Sequence, residues 1–291
     1  MQEQTTLRPG CKINTYLEIL HRRSDGYHEL ISLFHPLSRP SDTLYVSSLH
    51  SGGGLNLTCS RPELENGDNI LHSAYQAFAA ASGFRPDLRV HLEKEVPVGS
   101  GLGGASANAA ALLKYMNACL EPRHRLEEKG LARTAARVGS DVPFFLLGET
   151  ARVTGAGERV ERAASASLQG KEGLLVVCPH IGVSTAWAYQ AFDGAAGSGR
   201  TEFFPSLLTR EGKKDTDFAR SAGQVWFNAF EEVVFCSYPE LRSLKHGLLK
   251  TGARAATLSG SGSAIAVFAD KALPDCVRWL ERNSLPYFVA A

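Results

Sequence analysis

The stretch Pro97-Val98-Gly99-Ser100-Gly101-Leu102-Gly103-Gly104-Ala105-Ser106-Ala107-Asn108 has side chains missing just where a helix begins. Glycines let the main chain take positive φ and approach a ligand closely, and the Ala-rich run to Met116 predicts a helix whose N-terminal dipole favours an anion. Phosphate is the natural occupant. Gly99, Gly101 and Gly104 satisfy G-x-G-x-x-G, yet the acidic residue that a dinucleotide site needs about 20 positions on would be Glu121, which follows a helix rather than closing a strand. A Walker A loop carries Lys and then Ser or Thr after its last glycine, where this chain has Ala105-Ser106. There remains a nucleotide loop without its own lysine, whose phosphate charge must be offset by Mg2+ and by lysines from elsewhere, or else a flexible strand-to-helix turn.

Asp141, in Gly139-Ser140-Asp141-Val142-Pro143, is the best-placed base. It could accept a proton from a substrate hydroxyl in phosphoryl transfer, or it could simply cap the apolar helix that follows. Lys12 enters an otherwise apolar strand; it is either a snorkelling strand-end lysine or, beside Asp141, a cation that keeps the base ionised. Tyr27-His28 offers a flat ring and an imidazole, as nucleobase sites do, although such a pair in a turn is also ordinary surface. Ser259-Gly260-Ser261-Gly262-Ser263 is a hairpin connection that could wrap a second anionic group.

These groups need a scaffold to bring them together. Strands are predicted over 13–20 and 29–37, joined by Arg22-Arg23-Ser24-Asp25-Gly26, and over 43–49 and 55–59, giving an edge of several antiparallel strands. Helical spacing covers 69–81 with Gly83 as its stop; a strand at 88–92 leads into the glycine loop, and a helix at 126–138 precedes the Asp141 corner. A hairpin over 150–153 and 158–161 is followed by a small, polar joint at 163–173. Beyond it come strands at 174–178, 255–258, 264–269 and 286–289 and helices at 185–192, 228–235, 239–250 and 273–282, with poorly patterned, mobile stretches at 194–200 and 212–217. That order suits an α+β sandwich with an antiparallel sheet and helices on one face, divided into domains at 1–162 and 163–291.

With 291 residues, 44% of them hydrophobic, and a net charge of +1, the chain can bury a large core and has no global field to draw it to nucleic acid. The start lacks the pattern of a signal peptide and no apolar run reaches the ~20 residues of a membrane span, so a cytoplasmic protein with neither nucleic-acid nor membrane partners is expected. Six scattered cysteines read as reduced core thiols.

Taken together, residues 97–108, Lys12-Ile13-Asn14, 139–143 and 258–262 resemble the three motifs of the galactokinase, homoserine kinase, mevalonate kinase and phosphomevalonate kinase superfamily, over nearly the whole chain. Within it, Arg22-Arg23-Ser24-Asp25-Gly26-Tyr27-His28-Glu29-Leu30 resembles the signature of the 4-diphosphocytidyl-2-C-methyl-D-erythritol kinases. The resemblance implies a two-domain α+β small-molecule kinase, with an N-terminal domain like ribosomal protein S5 and a ferredoxin-like C-terminal one. It implies ATP-dependent phosphorylation of the 2-hydroxyl of 4-diphosphocytidyl-2-C-methyl-D-erythritol with Mg2+. By motif, Asp141 is the base and Lys12 its partner, with Asn14, Tyr27 and His28 on the substrate; Asn69, Ile70 and Lys94 lie against adenosine, and Pro97, Val98, Gly99, Ser100, Gly101, Leu102, Gly103, Gly104, Ala105, Ser106 and Ala107 wrap the phosphates. Ser106 is the candidate hydroxyl for Mg2+, and Trp187 or Tyr189 the candidate second aromatic over cytosine. Gly10-Cys11 stands where the family has Ala-Pro, and Ala105-Ser106-Ala107 replaces a more Gly-Ser-rich run. The rival functions are another small-alcohol kinase of the superfamily and a non-catalytic nucleotide-binding regulator.

Overall fold

Two long strands, β2 (Cys11–Arg22) and β3 (His28–Leu37), form the antiparallel hairpin expected around the Asp-Gly turn. The turn is closed by its own groups: Arg23 N–H donates to Tyr27 O (2.7 Å) and Tyr27 N–H to Asp25 Oδ1 (3.1 Å). The computed structural model describes residues 4–48, 54–163, 168, 173–197 and 225–290. The joint at 163–173 falls largely outside them, and so do the poorly patterned stretches beyond residue 197.

The hairpin belongs to a five-stranded sheet ordered β10-β2-β3-β7-β8, with β7 at Ala151–Gly155, β8 at Arg159–Arg162 and β10 at Phe227–Asn228. A second sheet is ordered β1-β4-β6-β5, with β1 at Gln4–Leu7, β4 at Thr43–Ser48, β5 at Leu55–Cys59 and β6 at Leu88–Glu93. The expected single antiparallel edge is therefore split between two sheets, and β5 runs parallel to β6. The cause is α1 (Ile70–Ser82), because parallel neighbours need a crossover connection and this helix supplies it. Leu44, Val46, Val90 and Leu92 alternate inward from β4 and β6 and share a core with Phe78 of α1 and with Leu112 and Leu113 of α2 (Gly104–Cys119). Helices α3 (Glu128–Val138) and α4 (Val142–Leu147) complete that layer.

The C-terminal half runs β9 (Leu174–Val177), α5 (Thr185–Gly197), α6 (Glu231–Ser237), α7 (Pro239–Lys250), β11 (Ala255–Leu258), β12 (Ile265–Phe268), α8 (Leu273–Arg282) and β13 (Tyr287–Ala290). Its sheet is antiparallel and ordered β11-β12-β9-β13, which is the strand order of a ferredoxin-like unit. The helix expected over 228–235 starts only at Glu231, because Phe227 and Asn228 pair in parallel with Tyr16 and Leu17 of β2. Leu17 and Ile19 of β2 in turn pack into the C-terminal core, so the two halves interlock through this strand. Four cysteines (Cys11, Cys59, Cys178 and Cys276) are buried free thiols as expected, whereas Cys119 and Cys236 are exposed.

Candidate active site

The strand, loop and helix order that a phosphate site requires is present: β6 ends at Glu93, the glycine loop follows, and α2 begins at Gly104. The loop forms one wall of a cavity of about 770 Å3, whose other walls come from β2, the β2–β3 turn, the Asp141 corner and α5. Gly101 has φ of +76°, and a Cβ there would sit 1.8 Å from Ser259 O. Only glycine lets the two glycine turns meet backbone to backbone. The second turn then braces the first: Ser259 Oγ donates to Gly101 O (3.0 Å) and Ala264 N–H to Ser100 O (3.0 Å). Gly103, at φ +69°, is the residue before α2, and a Cβ there would press on the Phe145 ring (3.1 Å) and Lys12 Cγ (3.2 Å). The space denied to a side chain at Gly103 is thus filled by protein as well as open to a ligand.

Lys12 is buried, and its Nζ donates to Asn14 Oδ1 (2.6 Å), lies 3.8 Å from Asp141 Oδ2 and sits 4.6 Å from the centroid of the Phe34 ring. Burial pushes the ammonium below its ordinary pKa, and the Asp141 charge works against that shift. Asp141 occupies the residue before α4 but its side chain makes no capping hydrogen bond, so the carboxylate, 28% exposed, is left to face Lys12 and the cavity. Asn14 Oδ1 is shared among Lys12 Nζ, Gly260 N–H (2.8 Å) and Ser259 Oγ (3.4 Å), and its Nδ2 donates to Ser32 Oγ (2.8 Å). Asn14 therefore ties Lys12 to the second glycine turn, a structural task that its expected contact with substrate did not foresee.

Some expected nucleotide contacts are placed differently. Lys94 lines the cavity, but its ammonium is held by the fully buried Asp42 carboxylate at 3.0 and 2.8 Å and also donates to Val96 O. Burial pushes this ammonium down as well, with Asp42 opposing. Lys94 thereby anchors the approach to the loop instead of presenting a free charge. Asn69 is the N-cap of α1, accepting from Leu71 N–H (3.0 Å), and neither it nor Ile70 lines the cavity. Ala107 is wholly buried in the core behind the loop, and Ser100 Oγ is spent on Pro97 O (2.7 Å). Pro97, Val98, Gly99, Ser100, Gly101, Leu102, Gly103, Gly104, Ala105 and Ser106 line the cavity, and Ser106 is a half-buried hydroxyl in the first turn of α2.

On the opposite wall Tyr27 is 65% exposed and His28 only 7%. Tyr189 stacks on His28 with ring centroids 4.7 Å apart and planes 15° from parallel, while Trp187 packs instead against Tyr238. Of the two candidate aromatics, Tyr189 is the one on the cavity. Burial and, secondarily, the Asp141 charge push its phenol up to about 12, so it stays protonated at neutral pH. His28 Nε2 donates to Asp193 Oδ1 at 2.6 Å. Asp193 was missed from the sequence, although Thr185, Tyr189 and Asp193 recur every four residues and so lie along one helical face, all three lining the cavity. Asn228 was missed too; its Nδ2 donates to both Leu258 O and Gly260 O at 2.8 Å and holds the second glycine turn in place. The helical spacing places Asp193 on a shared face, but the partners of Asp193 and Asn228 lie far away in the chain and leave no local signal of what each one holds.

The sequence matches the family models described as GHMP kinases N terminal domain, over residues 69–149, and GHMP kinases C terminal, over residues 211–278. It is 46% identical to a 4-diphosphocytidyl-2-C-methyl-D-erythritol kinase of Nitratidesulfovibrio vulgaris across 91% of this chain and 90% of that one. A protein of the same name from Solidesulfovibrio magneticus is 42% identical, covering 90% of this chain and 88% of the relative. Among solved structures, a 4-(cytidine 5'-diphospho)-2C-methyl-D-erythritol kinase superposes with a TM-score of 0.74 at 31% identity over 98% of both chains. A mevalonate kinase from L. major shares the fold, with a TM-score of 0.68 at 13% identity over 100% of this chain and 99% of that one.

Proposed function

Because the chain belongs to the GHMP kinase family and, within it, to the 4-diphosphocytidyl-2-C-methyl-D-erythritol kinases, we propose that its cavity carries out that reaction with the residues described above. The protein is an ATP-dependent kinase that phosphorylates 4-diphosphocytidyl-2-C-methyl-D-erythritol on its 2-hydroxyl, in the non-mevalonate route to isoprenoid precursors. The observation that carries the residue assignment is that the glycine loop, the Lys12–Asp141 pair and the Tyr27, His28 and Tyr189 rings all open on one cavity.

In this reading Asp141 accepts the proton of the 2-hydroxyl as its oxygen bonds to the γ-phosphorus, and the bond from that phosphorus to the β,γ-bridging oxygen breaks to release ADP. Lys12, 3.8 Å from Asp141, lies where negative charge gathers on the transferring group. The loop N–H groups and the start of α2 bind the phosphates. Among the described residues no group of three or more His, Cys, Asp or Glu side chains could hold a metal. A magnesium ion, which would neutralise phosphate charge, would be held by nucleotide oxygens, water and the Ser106 hydroxyl on the cavity wall, a donor set that suits it. Tyr27 and Tyr189 flank the cytosine and His28 meets its edge. The enzyme works in the cytoplasm, and no helix of the described residues is long and apolar enough to cross a membrane.

Coupled ADP release with a panel of cytidylated and uncytidylated alcohols tests the reading; turnover of uncytidylated alcohols alone would return the chain to the general small-alcohol kinases. Tyr27→Ala should raise KM for the cytidylated substrate by about tenfold, within the 1–3 kcal/mol that base stacking contributes, and spare KM for ATP. Unchanged constants, with folding verified by circular dichroism, would make Tyr27 plain surface.

A further inference from the structure

Asp193 and His28 are 165 positions apart in sequence, yet their side chains meet at 2.6 Å on the wall of the cavity. A carboxylate can only accept, so Nε2 of His28 carries the proton, and in the neutral imidazole Nδ1 is then a bare acceptor. The ring cannot easily turn to present anything else. Tyr189 is stacked on its face, and the second carboxylate oxygen of Asp193 lies 3.9 Å from Arg22 Nη1, an exposed ion pair. Nδ1 has no hydrogen-bond partner among the described residues.

We propose that Asp193 is a positioning residue that sets base specificity: by fixing the proton of His28 on Nε2 it leaves Nδ1 to accept from the exocyclic amine of a cytosine and to repel the carbonyl oxygen that uracil has in the same place. The inference rests on the cytidylate reading above and adds to it how one pyrimidine is told from the other. Its physical basis is the asymmetry between a matched and a mismatched buried polar pair. A donor on the base completes the chain from Asp193 through His28, whereas an acceptor leaves two lone pairs opposed.

Two measurements test it. In the wild-type protein with 15N-labelled histidine, the His28 ring should show a protonated Nε2 and an unprotonated Nδ1, and the base preference then separates a specificity role from a merely structural contact. The ratio of kcat/KM for the cytidylated substrate to that for its uridylated counterpart should then fall by about tenfold or more in Asp193→Leu, mainly through KM for the cytidylated compound. Asp193→Glu, which keeps the acceptor, should recover part of the ratio. A wild-type spectrum with the proton on Nδ1, or an unchanged ratio in Asp193→Leu, would overturn the proposal while leaving the kinase assignment intact. Failure of the wild-type enzyme to turn over any cytidylated substrate would instead overturn the reading on which it rests.

Discussion

Asp141→Asn is expected to lower kcat by about 10²- to 10⁴-fold, the range that loss of a general base covers, with ATP affinity close to that of the wild type. The carboxamide fills the same volume but cannot take the hydroxyl proton, and it removes the charge that holds the buried Lys12 ammonium at 3.8 Å. Because the Asp141 side chain makes no capping bond to α4, the substitution leaves the helix start intact, and its stability cost is confined to the buried Lys12 ammonium, which keeps Asn14 Oδ1 as a hydrogen-bond partner. The fold and the nucleotide loop are built from other groups. Single-turnover kinetics with saturating ATP and substrate, alongside calorimetric titration of ATP, separates the two effects. Near-wild-type turnover in a folded variant would reduce Asp141 to a surface residue at the start of a helix.

The second large effect lies away from the reacting atoms. Asp42 is completely buried and its two oxygens accept from Lys94 Nζ (3.0 and 2.8 Å), Glu95 N–H (2.8 Å), Val96 N–H (2.7 Å) and Asn108 Nδ2 (2.8 Å). Asp42→Ala leaves an ammonium that is only 5% exposed without its counter-charge, together with buried N–H donors without an acceptor. Breaking a buried pair from one side costs about 3–5 kcal/mol, and urea unfolding should show a loss of that order. Since these bonds tie the end of β6 to the first turns of α2, phosphate binding should weaken with them. Replacing both partners, as Asp42→Leu with Lys94→Met, removes the unpaired charge and should recover much of the loss. A single variant as stable as the wild type would show that Lys94 finds water or another acceptor when Asp42 is absent.

The contrast between these two aspartates bears on what can be read from a sequence. Asp141 stands in a motif, next to a turn and ahead of an apolar segment, so its type and position already suggest a base. Asp42 sits in Pro40-Ser41-Asp42-Thr43, where nothing local marks it, and its importance comes from a lysine 52 positions away. The family resemblance correspondingly implies that Lys94 lies against adenosine, and only the position of Asp42 shows that its charge is already engaged.

What the sequence by itself determined is the set of local preferences. The Asp-Gly turn, the hydrophobic spacing of α1 and α2, the glycines before α2 and the alternation of β6 each follow from backbone sterics or burial within a few residues. The motifs that carry the family resemblance are of the same short-range kind, which is why fold class and chemistry were legible before any coordinates. Tertiary structure alone decided which sheet each early strand joins, that β10 returns to β2, that Gly101 needs no side chain because Ser259 O occupies the space, and that Tyr189 faces the cavity where Trp187 does not. It also decided that Asp193 holds His28 and that Asn14 and Asn228 hold the second glycine turn. The physical reason is common to all of these. Pairing energies between groups far apart in the chain depend on distances and burial that no local pattern encodes, and a hydrogen bond or ion pair counts only once water has been excluded from it.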